Sequence, residues 1–531
     1  MRGTSRAAAV LACSALGLGC LVAAPAASAG STGTGAARPP GAQGRDCAVA
    51  PDAPKRQLRG DWIASVVNID WPSRPGLSVA DQKAELEQWY DEAAARGLNA
   101  VVVQVRPTAD TFWPSDLEPW SRYLTGTPGG DPGYDPLAFA VEQAHARNLE
   151  FHAWFNPYRV SMNTDREALA PDHPARRHPD WLVSYGGKLY YNPGIPAVRR
   201  HVEDVILEAT TRYDIDAVHF DDYFYPYPAG GVDFPDADTY ATYGDGFDTV
   251  GDWRRHNTDL LVSELDQQIH AVKPWVKFGV SPFAVWRNAG TDPEGSATTA
   301  GAETYDDLYA DTRGWVRKGW LDYIAPQVYW NIGFAPADYA KLVPWWAEQV
   351  EGTDAQLYIG QATYKVGTST QSPAWADPEE MTRHLTFNRD FPQVQGDIYF
   401  SAKDVRANRL GHMDLVQADH YAHPALIPVT QGVPGRAPRP VGAVAAERTP
   451  DGIRLTWDGD DAAYAIYRVS GRSADLCDTA DAEHLLGWFR ADSEGDQAYL
   501  DEAAPSDGVT YYVTALDRAY RESVPRRIEV R

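Results

Sequence analysis

The chain has 531 residues and a formal net charge of −25 at neutral pH, from 48 Lys and Arg against 73 Asp and Glu. Such an acidic excess repels polyanions, which excludes nucleic acid and anionic membrane surfaces as partners. Beyond the N-terminal segment no run approaches the about 18 consecutive apolar residues of a spanning helix, so no membrane insertion is expected.

Residues 1–29 read as a cleaved export signal, which predicts a secreted or extracytoplasmic protein. Arg2 and Arg6 form the positive region, Ala7 to Ala24 is apolar, and Ala27-Ser28-Ala29 is a small-residue cleavage site. Cleavage removes Cys13 and Cys20 and leaves Cys47 and Cys477. In an oxidising compartment these two can form one disulfide, tying the N-terminal tail to the C-terminal region, or stay as separate thiols. No Cys/His cluster has zinc spacing and no twelve-residue calcium loop occurs, so no metal and no cofactor is expected.

Residues 30–57, rich in Gly, Ala, Pro and Thr, read as a flexible leader. From residue 58 to 425, strand-like apolar runs alternate with amphipathic helical stretches. Eight strands are predicted: Trp62 to Ile69, Ala100 to Val105, Glu150 to Phe155, Ala217 to Phe220, Lys277 to Val280, Tyr323 to Val328, Gln356 to Gly360 and Asp397 to Phe400. A helical segment precedes each from the second onward. Eight such repeats predict an α/β fold of the (β/α)8 TIM-barrel type, and no G-x-G-x-x-G loop argues for a doubly wound sheet.

Residues 426–440 read as a Gly/Pro/Arg-rich linker. In 441–531, short strands predicted at 453–457, 464–468, 498–501, 510–515 and 527–530 are separated by turns at sandwich-like spacing. This part resembles a fibronectin type III domain, with Trp457 at the place of the core tryptophan and Tyr511 or Tyr512 near the tyrosine corner. The implied role is a spacer or docking module.

Barrel enzymes place their chemistry at the C-terminal ends of the strands. The fourth strand ends His219-Phe-Asp221-Asp222-Tyr223-Phe-Tyr225, the one strand end here with paired carboxylates. Adjacent like charges raise the pKa of one partner, which gives an acid and a base in one place. Asp221, Asp222 and Tyr223 are therefore the candidate catalytic residues. Asp70, Gln104, Arg106, Trp154, Asn156, Tyr225, Gln327, Tyr329, Trp330 and Gln361 are the candidate substrate ligands. Amides and guanidinium bond sugar hydroxyls, and rings stack on sugar faces. Adjacent carboxylates do not suit an inverting site, whose acids stand roughly 6.5–9.5 Å apart. They suit a substrate-assisted route, in which the 2-acetamido oxygen of the sugar is the nucleophile. Asp222 then protonates the leaving oxygen and Asp221 orients the acetamido group, or the two roles are exchanged.

The segments R-G-D-W-I-A-S-V-V-N-I-D-W-P, V-V-V-Q-V-R-P-T-A-D, H-A-W-F-N-P-Y-R, Y-Y-N-P-G, V-H-F-D-D-Y-F-Y-P and A-P-Q-V-Y-W together resemble the glycosyl-hydrolase-like family 10 proteins, once called DUF187. The resemblance implies an exported barrel that cleaves a polysaccharide, in one bacterial branch peptidoglycan glycan strands stripped of their peptides. Two other readings stay open. One is a hydrolase of another extracellular polysaccharide, with Asp221 as covalent nucleophile and a loop residue such as Glu303 as acid. The other is a non-catalytic glycan-binding protein.

Overall fold

The structure, a computed structural model, describes Cys47 and residues 53–368, 371–480, 482–491 and 495–531. The expected signal and most of the expected leader lie outside these residues. Eight parallel strands close into a barrel: β1 (Leu58–Ile63), β2 (Ala100–Arg106), β3 (Glu150–Phe155), β7 (Ala217–Phe220), β8 (Lys277–Val280), β9 (Tyr323–Ile324), β10 (Gln356–Gln361) and β11 (Val394–Tyr399). Between β3 and β7 an antiparallel three-stranded sheet is inserted at the barrel mouth, made of β4 (Arg159–Ser161), β5 (Leu182–Tyr185) and β6 (Lys188–Tyr191).

Two strands end short of the sequence expectation, and the eighth begins at Val394, three residues before the expected Asp397. The first ends at Ile63, where Trp62 to Ile69 was expected, because side chains capture the chain beyond it. Gln104 Oε1 accepts from the backbone N–H groups of Ser65 and Val66 at 2.9 and 2.8 Å, and Asp70 Oδ2 accepts from that of Ala64 at 2.8 Å. These bonds hold apolar Val66 and Val67 in a turn. The sixth strand stops at Ile324 because Pro326 has no N–H to give a ladder. Gln327 keeps only isolated bridges to Phe283 and Gly360.

The barrel interior is part apolar and part a polar chain. Gly279 makes room for it, since a Cβ there would lie 2.1 Å from the Tyr323 ring. Trp62 Nε1 can only donate, and it reaches His219 Nε2 at 3.1 Å, so His219 carries its proton on Nδ1 and donates to Tyr323 Oη at 2.8 Å. Tyr323 then donates to His152 Nδ1 at 3.0 Å, and His152 Nε2 donates to Glu150 at 3.0 Å. Lys277 closes the chain on both Glu150 oxygens at 2.7 and 2.8 Å. Burial holds His219 well below the usual imidazole range, in keeping with a neutral ring.

A β-sandwich follows, with one sheet of β12 (Ala445–Thr449), β13 (Gly452–Gly459) and β16 (Gly495–Asp501). The other sheet holds β14 (Ala463–Ser470), β15 (Leu485–Arg490), β17 (Val509–Leu516) and β18 (Arg526–Val530). β12 and β15 were not expected. β12 is mostly exposed and carries Glu447 and Arg448, so it lacks apolar alternation, and Gly487 interrupts β15.

Barrel and sandwich fall in one compact unit, and the sandwich forms the barrel floor. Trp488, Tyr512, Leu516 and Tyr520 share one buried cluster with Leu58, Ala100, Tyr323 and Tyr358 of the barrel. Burying each large ring stabilises by about 2–3 kcal/mol. The Lys277 amine, at the foot of the polar chain, lies 5.5 Å from the centre of the Tyr520 ring. Arg490 Nη2 bonds both oxygens of Asp216 at 2.8 and 2.9 Å, just before the strand that carries the aspartate pair. Cys47 and Cys477 are disulfide-bonded, with Cα atoms 5.3 Å apart.

Arg490, His145 and the backbone N–H of Phe151 together hold the Asp216 carboxyl far below its ordinary range, against its burial. The stability this gives is present above the unfolded-state pKa of about 3.9 and is lost as pH falls below it. Arg490→Ala is expected to cost about 3 kcal/mol at pH 7, because it strands a buried charge. Urea unfolding at pH 7 and pH 3 checks this, with the difference from wild type shrinking at the lower pH.

Candidate active site

Asp221 and Asp222 follow β7 directly and are both buried, at 5% and 8% exposure. Asp221 accepts from Asn156 Nδ2 at 2.6 Å and from the backbone N–H of Tyr223 at 3.1 Å. Asp222 accepts from the Tyr227 hydroxyl at 2.5 Å and from Gln327 Nε2 at 3.1 Å. The Gln327 amide also donates to the Ser281 carbonyl at 2.9 Å, which fixes its aim.

Burial, then the neighbouring Asp222 charge, pushes the Asp221 carboxyl up to about 6; Arg159, Asn156 and the Tyr223 N–H pull it back. Burial raises Asp222 too, against its Tyr227 and Gln327 donors. The pair therefore holds a proton to higher pH than an ordinary carboxylate, which is what general acid chemistry near neutrality requires.

A network of side chains aims Asn156 at the pair. Its Oδ1 accepts from Gln104 Nε2 at 2.6 Å and from Arg159 Nη2 at 2.8 Å, leaving Nδ2 to face Asp221. Arg106 is wholly buried and bonds both Glu118 oxygens at 2.7 and 2.6 Å. It also donates to the Asn156 and Pro157 carbonyls at 2.5 and 3.1 Å. Arg106 and Gln104, expected as sugar ligands, therefore act on Asn156, and their polar atoms are spent on protein.

Three further expected ligands also face protein. Asp70 ties the first strand to the eighth through Ala64, Ser401 Oγ at 2.8 Å and the Lys403 N–H at 3.2 Å. Gln361 is wholly buried, bonded to Tyr339, Asp397 and His384. Tyr225 is wholly buried against Phe234 and Tyr309. Strand-end position alone could not separate these from groove residues, since neighbouring loops cover them.

The remaining expected ligands gather around the pair. Trp154 lies edge-on to His219, and its indole N–H has no partner among the described residues. Half-buried Tyr329 packs against Tyr364 and Phe400, and half-buried Trp330 meets Phe283 edge-on at 5.4 Å. Phe283 in turn touches Tyr227, and Tyr227 touches Tyr223. This gives an aromatic rim beside the carboxylates. Glu303, the acid of the covalent alternative, is held within its own loop by the Asn288 N–H at 3.0 Å and Thr291 Oγ1 at 2.7 Å.

Sequence reasoning missed Arg159 and Tyr227. Arg159 stacks over Tyr223 at 5.1 Å and lowers both carboxyls. Its signal was its place three residues past Asn156, in the strand of an unforeseen sheet. Tyr227 is the residue that directly follows the motif, which ends at Pro226.

A closed (β/α)8 barrel with adjacent buried carboxylates, their pKa raised by burial, and aromatic rings at its strand ends is the arrangement of a glycoside hydrolase. The family model described as "Glycosyl hydrolase-like 10" matches residues 57–377, and the chain belongs to that family. It is similar to "Glycosyl hydrolase YngK" of Bacillus subtilis, 50% identical over 479 residues, 88% of this chain and 92% of that protein. It is also similar to "Glycosyl hydrolase DigH" of Escherichia coli K12, 41% identical over 363 residues, 65% of this chain and 82% of that protein. Among solved structures, the PgaB glycoside hydrolase domain of Bordetella bronchiseptica aligns with TM-score 0.46 and 13% identity, over 69% of this chain and 99% of that one.

The pair must keep one proton to act as an acid, so kcat/KM is expected to fall as pH rises above about 6. Removing a donor from a carboxylate disfavours its charged form and raises its pKa. With Asp222 as the acid, Tyr227→Phe is therefore expected to move the alkaline limb of the pH–rate profile to higher pH, as initial rates across pH 4–9 would show.

Proposed function

We propose that this glycoside hydrolase is exported and cleaves an amino-sugar polymer, most directly the peptide-free glycan strands of peptidoglycan, by a substrate-assisted route. The observation that carries the reading is the adjacent, buried Asp221–Asp222 pair, with no third carboxylate among its hydrogen-bond partners in the described residues. Two carboxyls on consecutive residues are poorly placed to flank a sugar from opposite sides. They are well placed for one to hold the acetamido N–H while the other protonates the leaving oxygen. The Cys47–Cys477 bond supports export, because disulfides persist in oxidising compartments.

In this scheme Asp222 is the general acid. Asp221, locked by Asn156 beside Arg159, orients the acetamido group and stabilises the cationic ring that forms as its oxygen attacks the anomeric carbon. Water then opens that ring, and Asp222 takes the water's proton. Tyr329 and Trp330 supply faces for sugar rings. The raised Asp221 carboxyl favours a second reading in which Asp221 is the acid and Asp222 the orienting group.

Wild type is expected to release reducing ends from peptide-free glycan strands, and Asp222→Asn to be slower by about a hundredfold or more. An amino-sugar oligomer with an activated aryl leaving group separates the roles. It needs little acid help, so the acid variant should regain much of its rate on it, and the orienting variant should not. No release from the strands by wild type sinks the substrate claim. Rescue of Asp221→Asn alone exchanges the roles.

A further inference from the structure

One corner of the mouth is positively charged in a chain of net charge −25. Arg159 on β4 stands opposite Tyr190 on β6, and Lys188 lies two residues along the same strand. Side chains two apart share a face of a strand, so Lys188 projects on the Tyr190 side, the side Arg159 faces. Arg159 directs Nε to the Pro107 carbonyl at 3.0 Å and Nη2 to Asn156. Its Nη1 has no hydrogen-bond partner among the described residues, and Lys188 has neither an ion pair nor a hydrogen bond from its amine there. Among the described residues, the carboxylates of Asp221 and Asp222 feel the Arg159 charge.

Two like charges held close without an anion between them repel, and Lys188 shows it. Burial and the Arg159 charge together push its amine below the ordinary lysine range. A ligand anion seated there would relieve both effects, and a planar carboxylate matches a guanidinium fork.

We infer that Lys188 and the free edge of Arg159 form a subsite, next to the cleaved bond, for a carboxylate carried on the substrate sugar. This rests on the amino-sugar reading above and deepens it. In peptidoglycan the alternate sugar bears a lactyl ether whose carboxylate is free only when the peptide is gone. An attached peptide turns that carboxylate into a neutral, bulky amide. The corner would then select stripped strands over peptide-bearing ones by charge as well as by size.

The test uses peptide-free glycan strands with free lactyl carboxylates and the same strands after carbodiimide conversion to methylamides. Wild type is expected to prefer the carboxylate form by about tenfold or more in kcat/KM, the scale of one charge-assisted hydrogen bond. Lys188→Gln should lose that preference through a raised KM on the carboxylate form while matching wild type on the amide, and Lys188→Arg should restore it. Thermal melting confirms that the variants are folded. Equal cleavage of both forms by wild type, or an undiminished preference in Lys188→Gln, overturns the subsite and leaves the glycosidase reading standing. Cleavage of neither form removes the glycan-strand reading, and the subsite with it.

Discussion

Asp221 and Asp222 are neighbours in sequence and both are buried, and two adjacent carboxylates out of water cannot both stay ionised without compensation. Much of the mouth answers that constraint. Asn156 and the Tyr223 N–H hold one carboxyl, Tyr227 and Gln327 hold the other, and Arg159 supplies positive charge to both. The compensation is partial, which leaves a proton to donate near neutral pH.

Holding this arrangement takes support that no sugar would touch. Glu118 fixes Arg106, Arg106 fixes the Asn156 backbone, and Gln104 with Arg159 fixes the Asn156 amide. Beneath the site, a hydrogen-bonded chain from Trp62 to Lys277 fills the barrel with partners that each satisfy the next. The sandwich seals its foot through Tyr520 and grips the root of β7 through Arg490. It is part of the barrel's base, which a spacer on a loose linker would not be.

The barrel was legible because its strands are buried on both faces and read as apolar runs: β3, β7 and β8 begin and end where the sequence put them. The aspartate pair was legible because charge at a strand end is rare without a purpose. What could not be read depends on partners far away in sequence. Gln104 turns the chain after Ile63, Pro326 cuts β9 short, and Arg106 looks like a sugar ligand until Glu118 is found beside it. Gln361 and Tyr225 share the strand-end signature of groove residues, but loops bury them. Arg159 and Lys188 were invisible as a pair because only the pairing of β4 with β6 brings them together.

The central claim is electrostatic: burial and mutual repulsion keep a proton on the pair. Carbon-13 carboxyl titration of aspartate-labelled protein, assigned with Asp221→Asn and Asp222→Asn, measures it directly. The account predicts one carboxyl of the pair titrating near 6, moving downward when its neighbour becomes Asn because the neighbouring charge is gone. Two carboxyls titrating together near 4, each indifferent to loss of the other, would contradict it.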